Sequence, residues 1–135
     1  MQKVIIDTNI LVSALLSKRE DSPTVQILEL LFNGVILPLV FDTILEEYRE
    51  VLKRKKFGFS SSLVDSLVDE IRKDALEIFS TVYTEVKLPD EKDRPFFEIL
   101  HNDEDAVLIT GNLKHFPHDN RIMSAREFIE YMNHR

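Results

Sequence analysis

Three carboxylates in this chain stand where chemistry could be done. Asp7 closes the apolar run Val4-Ile5-Ile6 and heads Asp7-Thr8-Asn9. An Asp in that place also caps a helix well, and alone the two readings are evenly matched. A strand that is apolar right up to a carboxylate, with two polar side chains behind it, favours a ligand. Glu47 lies in a helix expected over residues 41–54, whose angles at ~100° per residue put Ile44, Leu45, Tyr48, Val51 and Leu52 on one buried stripe. Glu46 and Glu50 point away from that stripe and read as solvated charge. Glu47 falls at its margin, where a side chain turns either into a cleft or, snorkelling, out to solvent. Asp90 and Asp93 flank the start of a helix carrying Phe96, Phe97, Ile99 and Leu100. Capping is again the plain reading of Asp93 before Arg94-Pro95, yet a carboxylate at that point can also hold a cation.

The chemistry such a set allows is that of a hard divalent ion. The chain has no cysteine, and its four histidines, His101, His115, His118 and His134, show no metal-binding spacing. Oxygen-only ligands suit Mg²⁺ or Mn²⁺ rather than Zn²⁺. Ions of this kind activate water and stabilise an in-line phosphodiester displacement. His115 and His118 follow Asn112 closely enough to touch a substrate, but read better as surface loop residues.

The elements that must position these groups alternate. Val4-Ile5-Ile6, Val35-Ile36-Leu37 and Val107-Leu108-Ile109 are short apolar strands, with weaker strands at Thr81-Val82-Tyr83-Thr84 and Arg121-Ile122-Met123. Between them lie a helix with Leu11, Leu15 and Leu16, and one opened by Ser22-Pro23 and stopped at Asn33-Gly34. Asp42-Thr43 is expected to cap the next. A long helix from Ser60-Ser61-Ser62 carries Leu63, Val64, Leu67, Val68, Ile71, Ala75, Ile78 and Phe79 on one stripe. The last is capped by Ser124 with Glu127 completing a capping box. This pattern predicts an α/β domain with a parallel sheet covered on both faces. Ligands in such sheets bind beyond the carboxyl ends of the strands, so Asp7 and Thr110-Gly111-Asn112 should share one rim. Asp103, Glu104 and Asp105 precede their strand and belong to the opposite end.

Composition narrows the class further. The 135 residues are 44% hydrophobic and 30% charged, without repeats or linkers, which fits one globular domain over residues 1–135. A net charge of -7 and a pI near 5.1 argue against broad, salt-driven nucleic-acid binding. Any nucleic acid must be gripped locally, by metal ions and a few cations. The first apolar run meets Asp7 too soon for a secretory signal, and the longest, residues 35–41, is far too short to cross a membrane and contains Pro38. With no cysteine, a reducing cytoplasm is the expected setting.

Four segments resemble the acidic motifs of PIN-domain proteins, especially the toxin components of prokaryotic toxin–antitoxin systems. They are Val4-Ile5-Ile6-Asp7-Thr8-Asn9-Ile10-Leu11-Val12-Ser13-Ala14, Ile44-Leu45-Glu46-Glu47-Tyr48-Arg49-Glu50-Val51-Leu52, Pro89-Asp90-Glu91-Lys92-Asp93-Arg94-Pro95-Phe96 and Leu108-Ile109-Thr110-Gly111-Asn112. Each alone is weak; four in family order, over nearly the whole chain, are specific. The resemblance implies a three-layer α/β/α sandwich around a parallel sheet of about five strands. It further implies a Mg²⁺- or Mn²⁺-dependent ribonuclease that forms a homodimer and is inhibited by a cognate antitoxin. Carried over, the catalytic and metal-binding acids are Asp7, Glu47 and Asp93, with Asn112 at the fourth metal position. Asn9, Thr110 and Lys114 are candidates for contacting substrate or ordering the site. The fourth position is usually Asp in the family; Asn112 can ligate but brings no charge, which weakens a second metal. Asp119 is a distant substitute. That departure keeps a second reading open, a catalytically weak PIN-like binding module acting through a partner protein. A haloacid-dehalogenase-type phosphatase lacks its second Asp, Asn9 standing there. A response-regulator receiver lacks its acceptor Asp, Pro38 standing after residues 35–37.

Overall fold

A computed structural model of the chain describes every residue except Val82. Its five strands are β1 (Gln2–Ile6), β2 (Ile36–Val40), β3 (Leu76–Glu77), β4 (Val107–Ile109) and β5 (Ile122–Met123). They form one all-parallel sheet in the order β3-β2-β1-β4-β5. Six helices, α1 (Thr8–Leu16), α2 (Pro23–Phe32), α3 (Asp42–Leu52), α4 (Ser61–Asp74), α5 (Arg94–Leu100) and α6 (Ala125–Asn133), complete a three-layer α/β/α sandwich. α2 packs against α1 and α6, and α3 against α4 and α5. Among the described residues, no helix is long and apolar enough to cross a membrane.

The expected sandwich is what folds, for the physical reason read in the strands. Val4, Ile5, Ile6, Val107, Leu108 and Ile109 are all buried, as unbroken apolar runs covered on both faces must be. Details differ. β2 runs on through Pro38 rather than stopping before it. Pro38 pairs in register with Val4, while the two residues of β3 meet only Leu39 and Val40. Next to Pro38 the β3 side therefore has no ladder for a missing N–H to disrupt.

The third strand also lies earlier than expected. Ala75 leaves the helix for an extended conformation, so α4 ends at Asp74 and its buried stripe is Val64, Leu67, Val68 and Ile71. Leu63 and Phe79 are exposed, Phe79 at 90%. Leu76-Glu77 join the edge of β2 instead, followed by an Ile78 N–H bond to the Val40 carbonyl. The apolar spacing of Ala75, Ile78 and Phe79 continues a helical phase, but a free sheet edge outcompetes one more turn. Thr81, Tyr83 and Thr84 are not in a strand, and Val82 lies outside the described residues. Asp42 is the first residue of α3 and Phe41 takes the cap position. The capping box of Ser124 and Glu127 forms as read.

Candidate functional site

The chain leaves β1 for β2 on one side, while β4 flanks β1 on the other. Between β1 and β4 the winding reverses, and there α/β sheets open a crevice at their carboxyl edge. The Asp7 N–H donates to the Ile109 carbonyl at 2.9 Å, pinning the two strand ends together. Asp7 occupies the N-cap position of α1 yet its carboxylate makes no capping bond. Its Oδ2 accepts instead from Thr110 Oγ1 at 2.7 Å and Asn9 Nδ2 at 3.3 Å. Thr110, fully buried, also accepts from the Asn112 N–H at 3.0 Å. Asn9 Oδ1 accepts from the Gly111 N–H at 2.9 Å. A Cβ on Gly111 would stand 3.2 Å from that oxygen, so a side chain there would push the Asn9 amide aside by a few tenths of an ångström.

A cleft of about 590 Å³ opens at this rim, within the range of small-ligand sites. Asp7, Asn9, Glu47, Asp90, Asp93 and Asn112 all line it. Glu47, from α3, accepts a hydrogen bond from Thr8 Oγ1. The next residue, Tyr48, is buried and donates to the Ile6 carbonyl, fixing α3 to the end of β1. Asp93 makes no cap bond to α5; its Oδ2 meets His115 Nδ1 at 3.0 Å. Capping falls to Asp90, which accepts from the Lys92 N–H at the start of the preceding turn, Glu91–Asp93.

Of the other groups singled out from the sequence, some lie at the cleft and some away from it. Glu50 is exposed, as read, and also borders the cleft, paired to Arg54 at 3.2 Å. Lys114 is exposed on the turn Leu113–His115 and is not among the lining residues. Asp119 lines a separate hollow between β5 and α6 and accepts from the Arg121 N–H. Asp103 is at the far end of the sheet, bound to Lys3. His115, read as a surface loop residue, is instead half-buried against Asp93, a contact that sequence reasoning missed. Its place three residues past Asn112, after a strand-end turn, was the only available signal.

The electrostatics of the cleft are those of crowded acids. Burial, then the charges of Asp93 and Glu47, lift the Asp7 carboxyl to about 6 against the pull of Thr110. Glu47 is raised by burial and by Asp93, and Asp93 by burial despite His115. Among the described residues no Lys or Arg forms an ion pair with any of the three. The three also do not close into one coordination sphere: no group of three acidic or His side chains among the described residues is tight enough to hold an ion by itself. Hard oxygen ligands with no Lys or Arg ion partner among the described residues suit a cation that keeps part of its water shell, as Mg²⁺ does.

A PIN-domain family model matches residues 3–114. The chain belongs to the PIN-domain family. Comparison with curated proteins gives no match. PIN domains are generally nucleases, act on nucleic acid and generally use divalent metal ions. The matched span of this PIN domain carries Asp7, Glu47, Asp93, Thr110 and Asn112.

Proposed function

We propose that this PIN domain is a Mg²⁺- or Mn²⁺-dependent endoribonuclease, and the toxin of a toxin–antitoxin pair. The observation that carries the nuclease reading is the set of three carboxylates, Asp7, Glu47 and Asp93, lining one switch-point cleft without a Lys or Arg ion partner among the described residues. A divalent ion, when bound, would supply an activated water and stabilise charge on the phosphoryl group. The chain's own residues prepare for it. Thr110 and Asn9 both bond Oδ2 of Asp7, which orients the carboxylate. Thr8 holds Glu47, and His115 holds one oxygen of Asp93, so each acid presents a defined face to the cleft. The remaining cleft surface, with Asn112 and Lys92, receives the phosphate backbone.

The test is cleavage of a mixed RNA substrate by the purified chain with Mn²⁺, with Mg²⁺ and with a chelator. Metal-dependent cutting that vanishes in Asp7→Asn is expected; cutting that survives both would end the proposal. The RNA preference, homodimer, antitoxin and cytoplasmic setting extend the family resemblance. Co-purification with the product of an adjacent gene, and light scattering of the isolated chain, address them. A second reading is favoured by one observation: Asn112 brings no charge to the cleft. Under it the domain is a catalytically weak binding module that acts through a partner protein, and adding Mn²⁺ or Mg²⁺ would raise cleavage little.

A further inference from the structure

Cations are concentrated at one rim of the acidic cleft. Lys53-Arg54-Lys55-Lys56 is the longest basic run in a chain of net charge -7, and it is followed by Phe57-Gly58-Phe59. Arg54 and Phe57 line the same cleft as Asp7, Glu47 and Asp93. α3 ends at Leu52, the short turn Lys55–Phe57 follows, and Gly58 at φ 72 closes it. That left-handed conformation suits glycine. It sets the Phe57 and Phe59 rings in a stack, centroids 5.8 Å apart and planes 17° from parallel. Phe59 packs on the hydrophobic core, so Phe57 is braced from behind. Lys56 Nζ stands 5.1 Å from the Phe57 centroid. Lys53 is tied to Asp65, and Arg54 to Glu50. Lys55 and Lys56 are exposed and form no ion pair among the described residues.

A cleft lined by Asp7, Glu47, Glu50, Asp90 and Asp93 repels a polyanion, so the strand threaded past it needs a local hold. Exposed cations beside a braced aromatic ring are the usual platform for single-stranded nucleic acid, ring to base and cation to phosphate. We propose that residues 53–59 seat the single strand flanking the scissile phosphate, one base stacking on Phe57 and neighbouring phosphates meeting Lys55 and Lys56. The substrate class rests on the nuclease reading above; the seat itself rests on the geometry of this turn.

The probe is a short fluorescein-labelled 2′-O-methyl oligouridylate, which resists cleavage, titrated with the full chain in chelator by fluorescence anisotropy. Phe57→Leu keeps apolar bulk and removes the ring, and is expected to weaken binding roughly 5- to 100-fold. Phe57→Tyr keeps the ring and should bind like the parent. The Lys55→Gln/Lys56→Gln double variant should flatten the salt dependence of binding by about 1.4, at ~0.7 per single-strand phosphate. No binding by the parent, equal binding by Phe57→Leu at an unchanged melting temperature, or a Tyr variant as weak as Leu overturns the seat. Cleavage with Mn²⁺, measured alongside, separates the two proposals. Binding through Phe57 without any cleavage removes the nuclease reading and keeps the seat. Cleavage whose KM ignores Phe57→Leu removes the seat and keeps the nuclease.

Discussion

Replacing Asp7 with Asn should make the metal-free protein more stable, and the gain can be worked from the site. Asp7 is only 4% exposed, and its carboxyl is lifted from 3.8 to about 6. At ~1.4 kcal/mol per pH unit, holding it ionised at neutral pH costs the fold about 3 kcal/mol. A raised acid favours the fold most below its unfolded value. That contribution is lost as pH climbs from about 4 through about 6. In Asp7→Asn the amide oxygen can still accept from Thr110 and Asn9, while the new NH₂ needs a partner and removes part of the gain. A net stabilisation of about 1–2 kcal/mol at pH 7.5 should remain, or roughly 3–6 °C in Tm for a chain of this length. Melting in chelator, followed by circular dichroism at pH 4 and pH 7.5, is the assay. The gain should be present at pH 7.5 and nearly absent at pH 4. A lower Tm at pH 7.5, or a gain unchanged at pH 4, would refute the electrostatic account and return Asp7 to a structural role.

Asn112→Asp adds a further negative charge beside Asp7, Glu47 and Asp93 and should tighten Mn²⁺ binding by calorimetry; unchanged affinity would show that residue 112 does not face the ion. His115→Ala frees an oxygen of Asp93 and should lower metal affinity or turnover roughly 10- to 100-fold with little change in Tm. Equal activity would mean the 3.0 Å contact is incidental. Gly111→Ala forces Asn9 to move away from a 3.2 Å approach, so cleavage should fall, whereas an active variant would show that the Asn9 bridge is dispensable. The apparent affinity for Mn²⁺ should decline below about pH 6 as protons compete for Asp7; a flat profile from pH 5 to 8 speaks against Asp7 as a ligand.

What was legible in the sequence is what depends on strand ends and helix angles. Asp7 and residues 110–112 end apolar runs, and parallel pairing of β1 with β4 brings such ends to one rim. Glu47 follows from the wheel of α3 because its neighbours Ile44, Leu45, Tyr48 and Leu52 are indeed the buried ones. Illegible were contacts made by chain that folds back. His115 reaches Asp93 only because a single turn after β4 bends toward α5, and no periodicity reports such a bend. β3 has two residues, too few for any pattern to show, and helix-like spacing ran straight over it. Phe57 and Lys56 were plain in the sequence but mute, since nothing local says that the end of α3 overhangs the cleft.

The central place of β1 has a consequence for the time course of synthesis. The first strand made is the one that needs the most distant partner: the Thr110–Asp7 bond spans 103 residues, and the Gly111–Asn9 bond spans 102. At ~5–20 residues per second, a ribosome takes roughly 5–20 s to deliver that second half of the rim. Until then Asp7 has neither its hydroxyl donor nor the Ile109 carbonyl that clamps its backbone. Helices α1 to α4 and strand β2 can form and pack earlier, yet they enclose no finished cleft. A nascent chain thus lacks a finished rim, whatever its fold has already achieved. The rim can be complete only once β4 pairs with β1 and Thr110 reaches Asp7.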